Sequence, residues 1–269
     1  MQFDLYVGID YSGAETARSR LASLQVYAMH PNGSAPERWH SPTPPNNGKR
    51  VNWTRREIAE RLRDEIGSGK HLLVGIDHGF SFPVSYFDRY GLKSWPEFLT
   101  DFAHHWPTHQ DYVYVDFVRD GDLHRRGHAP APGQRVGNSD EFRLTEKWTS
   151  SAKSVFRLDG QGTVGKSTHA GIPWLLWLRE QLGSAVHFWP FDGWMPPVGK
   201  AVITEVYPSI FRNRYPRESR TPDEQDAYAT ARWMSEMAAR DALAACFTPP
   251  LTFDEQTVAS LEGWILGVR

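Results

Sequence analysis

The chain has 269 residues, 40% of them hydrophobic, and a formal net charge of -2 at pH 7. That is enough apolar material for a sizeable core and no overall basic field, so a polyanion partner would have to be held by local clusters. One cysteine, Cys246, excludes an intramolecular disulfide and a thiolate zinc cage.

The opening "MQFDLYVGID" carries Asp4 and runs directly into an alternating pattern, unlike a secretory leader. No apolar run approaches membrane-spanning length. A soluble cytoplasmic protein with no membrane partner is expected. Phe3, Leu5, Val7 and Ile9 alternate with Asp4, Tyr6, Gly8 and Asp10, which is the period of a strand. "YSGAE" then turns, Leu21 to Met29 reads as a second strand, and Arg38 to Ser41 as a short third. After "SPTPPNNG" a helix is well marked: Thr54 and Glu57 form a capping box, Ile58, Leu62 and Ile66 share a stripe, and Gly67 ends it. The strand Leu72 to Asp77 follows and repeats the "VGID" of the first. Strand, helix and matching strand predict a crossover that lays the two copies side by side and parallel.

The stretch from about 84 to 160 reads as a helical and loop insertion, with aromatic helical fragments at Trp95 to Trp106 and a Gly/Pro/Arg-rich loop at "HRRGHAPAPGQRVG". Order returns with a helix at Ile172 to Leu182 and strands at Ala185 to Trp189 and Ala201 to Tyr207. Thr221 as cap, Pro222 at the first position and Glu224 completing the box open an alanine-rich helix that is expected to reach about Ala245.

Four acids stand at the ends or inner faces of these elements: Asp10, Asp77, Glu205 and Asp226. The carboxyl ends of neighbouring parallel strands converge on the edge where open α/β sheets hold ligands. Carboxylates gathered there repel one another unless a cation lies between them, which suits a hard divalent metal, Mg2+ or Mn2+. Taken singly, each acid also has a plain structural reading. An Asp after a strand caps a turn, Glu205 could pair with an arginine, and Asp226 could favour a helix dipole.

The sequence resembles the family called domain of unknown function 429, a predicted nuclease group with a ribonuclease H-like fold. The resemblance is carried by "GIDYSGA", "GIDHGFSFP", "AKSVFRLDGQGTVGKSTHAGIPWLLWLR", "FWPFDG", "EVYPS" and "DEQDAYATARW", which together span nearly the whole chain. It implies a single domain over 1–269: a mixed β-sheet flanked by α-helices on both sides, with the insertion. It also implies that Asp10, Asp77, Glu205 and Asp226 lie where that fold places metal-binding carboxylates. The expected activity is metal-dependent hydrolysis of nucleic-acid phosphodiesters by a two-metal-ion mechanism. In it Asp10, Asp77 and Asp226 hold metal, and Glu205 binds metal or orients the attacking water.

A rival motif is "GQGTVGKS", Gly160 to Ser167, which matches the phosphate-loop pattern and would make the chain a nucleotide hydrolase using Lys166. That pattern requires a buried strand before the loop and a long helix after it. Arg157 spoils the strand, and Gly171 and Pro173 are expected to interrupt the helix. Short of that chemistry, Ser12, Lys153, Lys166 and Ser167 are candidates for contacting a substrate phosphate. His104, His105, His109, His124 and His128 lack zinc-site spacing. Arg125, Arg126 and Arg135, and separately Arg212, Arg214, Arg217 and Arg220, form two basic patches that would suit a phosphodiester backbone or simply a solvated face. Trp189 and Trp194 are candidates for stacking on bases. A catalytically silent binding or scaffold protein with the same fold is the other alternative.

Overall fold

The computed structural model describes residues 1–121, 135–149 and 151–269. Of the residues singled out above, His124, Arg125, Arg126 and His128 lie outside the described residues. Among the described residues six strands, β1 (Leu5–Asp10), β2 (Gln25–Met29), β3 (Glu37–Arg38), β4 (Leu72–Asp77), β5 (Val186–Trp189) and β6 (Ala201–Glu205), form one sheet in the order β3-β2-β1-β4-β6-β5. The β1–β2 and β2–β3 pairs are antiparallel, whereas β1–β4, β4–β6 and β5–β6 are parallel. The described helices are α1 (Arg55–Gly67), α2 (Val84–Tyr90), α3 (Trp95–His105), α4 (Val115–Arg119), α5 (Leu144–Trp148), α6 (Gly165–Leu182), α7 (Pro222–Ala239), α8 (Leu243–Cys246) and α9 (Phe253–Glu262). Among the described residues no helix is long and apolar enough to cross a membrane.

Strand alternation divides the core. Leu5, Val7, Ile9, Leu72, Val74 and Ile76 pack with α1, α3 and α6 on one face, and Tyr6, Leu73 and Val202 pack with α7 on the other. Helices therefore cover both faces, as expected. Phe3 joins the α7 side rather than the Leu5 side, because the ladder begins only at Leu5. The second strand is shorter than its apolar run suggested, since Leu24 N–H turns back to Leu21 O at 3.2 Å. The last long helix stops at Ala239, six residues short of the expected end, and α8 follows as a separate turn. The insertion contributes Phe87, Phe98, Phe102 and Phe156 to the same core as the sheet.

The largest departure is α6. It begins at Gly165 and runs unbroken through Gly171 and Pro173. A proline removes the N–H that would bond the carbonyl four residues earlier. Here that carbonyl, on His169, instead accepts the hydroxyl of Thr108 from outside the helix at 2.8 Å. Gly171 is filled from the sheet side, where an added Cβ would lie 2.4 Å from His78 Nε2. Both interruptions are thus compensated by tertiary contacts.

Candidate metal centre

Why the same tetrapeptide ends two strands is answered by register. β1 and β4 pair residue for residue, so Gly8 lies beside Gly75 and Asp10 beside Asp77. Gly8 and Asp10 share a face, as do Gly75 and Asp77, and it is the face covered by α7. The glycines remove the side chains that would hold α7 away. A Cβ on Gly8 would lie 2.2 Å from Ala227 O, and one on Gly75 would lie 2.7 Å from Val206 Cγ1 and 2.9 Å from Thr230 Cγ2. With the helix this close, Asp226, in the second turn of α7, comes down beside the two strand ends.

Sequence chemistry also fixes where α7 starts. The Thr221 side chain accepts from Glu224 N–H while the Glu224 carboxylate accepts from Thr221 N–H. The loop that follows Asp10 is held by a buried arginine: Arg55, the first residue of α1, donates to the carbonyls of Ser12, Ala14 and Glu15 at 3.0, 2.6 and 2.6 Å. Gly13 in that loop lies directly on the first turn of α6, where a Cβ would come within 2.0 Å of Lys166 O.

The result is a cluster in which one carboxylate oxygen each from Asp10, Asp77 and Asp226 lie within 4.8 Å of one another. Burial pushes Asp10 well above the usual carboxylate range, Asp77, Asp223 and Asp226 push it further, and Arg212 pulls it back. Burial likewise raises Asp77 well above that range, with Asp226 and Glu205 adding to it. Asp226 is raised by burial and held back by Arg212, whose Nη1 donates to Asp226 Oδ2 at 3.0 Å. The other oxygen, Asp226 Oδ1, is buried without a hydrogen-bond partner among the described residues. A buried acceptor with no donor, in a group of three mutually repelling carboxylates, fits a divalent cation. The donor set is all oxygen and carries up to three negative charges, which suits Mg2+ or Mn2+ and not a thiolate-seeking ion.

Glu205, expected as a fourth member, is placed differently. Its carboxylate is gripped by Arg143, with Nη2 donating to Oε1 at 2.6 Å and Nη1 to Oε2 at 2.7 Å, and Phe80 N–H donates to Oε2 at 3.1 Å. Arg143 also donates from Nε to Glu146 Oε1 at 3.0 Å, and both residues are buried. Glu205 is therefore satisfied by protein donors and stands beside the triad rather than in it. A cavity of about 20 Å³, the size of a water, is lined by Asp77, Glu205, Arg143 and Lys153. Lys153 thus does reach the acidic edge, while its Nζ donates to Gln161 O. His78, next to Asp77, is pushed down to about 4 by burial and is neutral at pH 7, with Nδ1 2.8 Å from Gly79 O.

The remaining phosphate candidates meet elsewhere. Ser12, Lys166 and Ser167 line one cleft of about 350 Å³ whose lining begins at Tyr11, the residue after Asp10. Lys166 is engaged by Asp116 and Asp159 at 2.9 and 3.0 Å, and Ser167 Oγ donates to Val164 O at 2.9 Å. The helix that a phosphate loop needs is present, contrary to expectation, but the strand is not: Ser154 to Asp159 form turns and bends, with Val155 and Phe156 buried. The nucleotide-hydrolase context is therefore missing on the strand side. Among the described residues the triad is the one group of acids and histidines placed to hold a metal, which leaves His104, His105 and His109 without that role. Trp189 is fully buried and donates to Trp194 O, so it cannot stack on a base.

Comparison with protein families, with curated proteins and with solved structures finds no match to this chain. The residue that sequence reasoning missed is Arg143. Nothing in "DEFRLTEKW" distinguishes it from a surface arginine, because its partner lies 62 positions away.

Proposed function

We propose that the chain is a metal-dependent phosphodiesterase acting on nucleic acid, with the carboxylate arrangement of a ribonuclease H-like fold. The observation that carries the reading is the convergence of Asp10, Asp77 and Asp226, from two parallel strand ends and one helix, onto a site where Asp226 Oδ1 has no protein partner. The strand order, with an antiparallel β1–β2–β3 meander and β4 parallel to β1, supports it.

Divalent cations bound there would supply a Lewis acid for the phosphate and a water of lowered pKa. The residues of the chain divide the other work. Asp10 and Asp77, fixed side by side by strand register, would hold the cations from the sheet, and Asp226 would hold them from the helix. Arg212 occupies Asp226 Oδ2 and leaves Oδ1 as the oxygen without a protein partner. Lys153 brings a positive charge to the cavity that Asp77 borders, where it would meet a phosphate oxygen. Arg143 neutralises Glu205 and keeps a fourth negative charge from repelling the substrate.

A second reading, a catalytically silent binding protein, is favoured by the Arg212–Asp226 ion pair, which already neutralises one of the three acids. Crystals soaked in Mn2+ separate the two. Anomalous density among the three carboxylates, with Mg2+-dependent cleavage lost in Asp10→Asn and the fold retained, is the expected result. An Asp10→Asn protein that still cleaves, or manganese density absent from the triad, would remove the enzymatic reading.

A further inference from the structure

A cleft of about 350 Å³ opens directly beside Asp226, lined by Arg212, Asn213, Tyr215, Arg217, Pro222 and Gln225 together with Asp226 itself. Its volume is within the range of about 300–1,000 Å³ typical of sites for small ligands. We propose that this cleft binds the phosphate backbone of the nucleic-acid strand flanking the reacting phosphodiester, with Arg212, Arg217 and Asn213 as the donors; this rests on the nuclease reading above.

The four arginines of this segment are not equivalent, and their surroundings sort them. Arg220 stands behind the wall. Its guanidinium lies over the Tyr228 ring at 3.7 Å and donates to Gln225 Oε1 at 2.9 Å. Gln225 in turn donates to Tyr215 O at 2.8 Å, and Tyr215 Oη donates to Glu236 at 3.0 Å. These bonds, with those from Arg220 to Glu218 and Pro216 O, tie Arg220 into the structure behind the cleft, which it does not line. Arg214 is exposed but does not line the cleft. Arg217 and Asn213 are exposed and line it, and among the described residues no carboxylate pairs with Arg217. Arg212 joins the two sites: one Nη holds Asp226, while the side chain stays 42% exposed at the edge of the cleft. A guanidinium has five N–H donors, so Arg212 can hold the carboxylate and still meet a phosphate oxygen.

The geometry couples a negatively charged metal site to a positively charged groove through one shared residue. A phosphodiester chain matches both, since one phosphate reaches the cations and the next phosphate the arginines. An isolated phosphate would need only one of them. Backbone contacts of this kind position the strand without reading its sequence.

The test is fluorescence anisotropy of a labelled single-stranded DNA with the full-length protein, over a salt series in EDTA so that nothing is cleaved. Arg217→Ala should weaken binding about ten-fold, as expected for a charge-assisted contact. It should also lower the slope of log affinity against log salt by about 0.7. Arg214→Ala removes the same charge from the same segment but outside the cleft, so it should leave affinity within about two-fold and the slope nearly unchanged. Equal effects of the two substitutions, wild-type protein that does not bind the DNA, or inorganic phosphate binding that Arg217→Ala weakens without any DNA binding, would each overturn the proposal. Mn2+ binding, followed by electron paramagnetic resonance on the same proteins, should be unchanged in Arg217→Ala. Mn2+ binding intact with no difference between Arg217→Ala and Arg214→Ala overturns the cleft alone, whereas absence of Mn2+ binding in wild type overturns the metal reading beneath it.

Discussion

Asp77 and Glu205 end adjacent parallel strands, point to the same edge of the sheet and border the same small cavity, yet they live in opposite electrostatic conditions. Glu205 has a bidentate guanidinium and a backbone N–H. Asp77 has Asp10 across the ladder and Asp226 above it. A buried carboxylate that the fold has supplied with cations belongs to the structure, whatever its position in a motif. One that the fold has surrounded with other carboxylates must take its counter-charge from solution. The two strand ends therefore predict opposite responses to the same kind of substitution.

The largest expected effect is at Glu205. Glu205→Gln leaves Arg143 paired with Glu146 but turns an amide NH2 toward one of its buried Nη donors, and should destabilise the protein by about 3 kcal/mol, with or without divalent metal. Thermal unfolding in EDTA and in Mn2+ checks it. A stability loss that Mn2+ reverses would mean that Glu205 belongs to the metal site after all. Next is Gly8→Ala, which separates proximity from chemistry. The new methyl would meet backbone at Ala227 O, which cannot rotate away, so α7 must lift and carry Asp226 with it. The expected loss is about 1–3 kcal/mol of stability together with weaker Mn2+ binding, although no ligand has been altered. Gly75→Ala meets side chains of Val206 and Thr230 instead and should be milder on both counts. Equal Mn2+ affinity in wild type and Gly8→Ala would show that the triad does not depend on the approach of the helix.

Much of the frame was legible in sequence because its signals are local. The Thr54 and Thr221 capping boxes open α1 and α7 where the sequence places them, and the Leu72–Asp77 strand has the expected bounds. The meeting of Asp10 and Asp77 followed from parallel strand ends, a topological argument that needs no side-chain detail, whereas Asp226, on a helix, was expected beside them from the resemblance. What failed was decided by long-range partners. Pro173 reads as a helix breaker until Thr108 satisfies the carbonyl it abandons. Glu205 reads as a metal ligand until Arg143, from a stretch without periodic signal, closes on it. Lys166 reads as a phosphate ligand until Asp116 and Asp159 pair with it. In each case the deciding atom lies seven to sixty-five positions away, beyond any local motif.

The smallest expected effect has the opposite sign and tests the comparison most directly. Asp77→Asn removes one of three crowded acidic groups while keeping shape and volume, so the metal-free protein should become more stable by at least about 1 kcal/mol, the interaction of one charge pair at contact distance in water, which burial only enlarges. Wild-type protein should gain about 2.7 kcal/mol at a hundred-fold excess of Mn2+ over its dissociation constant, and Asp77→Asn should gain little. The curves in EDTA and in Mn2+ should therefore rank the two proteins in opposite orders. Glu205→Gln, by contrast, should rank below wild type in both. If Asp77→Asn is destabilising in EDTA, the carboxylate has a protein partner in solution, the cluster is satisfied without metal, and the distinction between the two strand ends is lost.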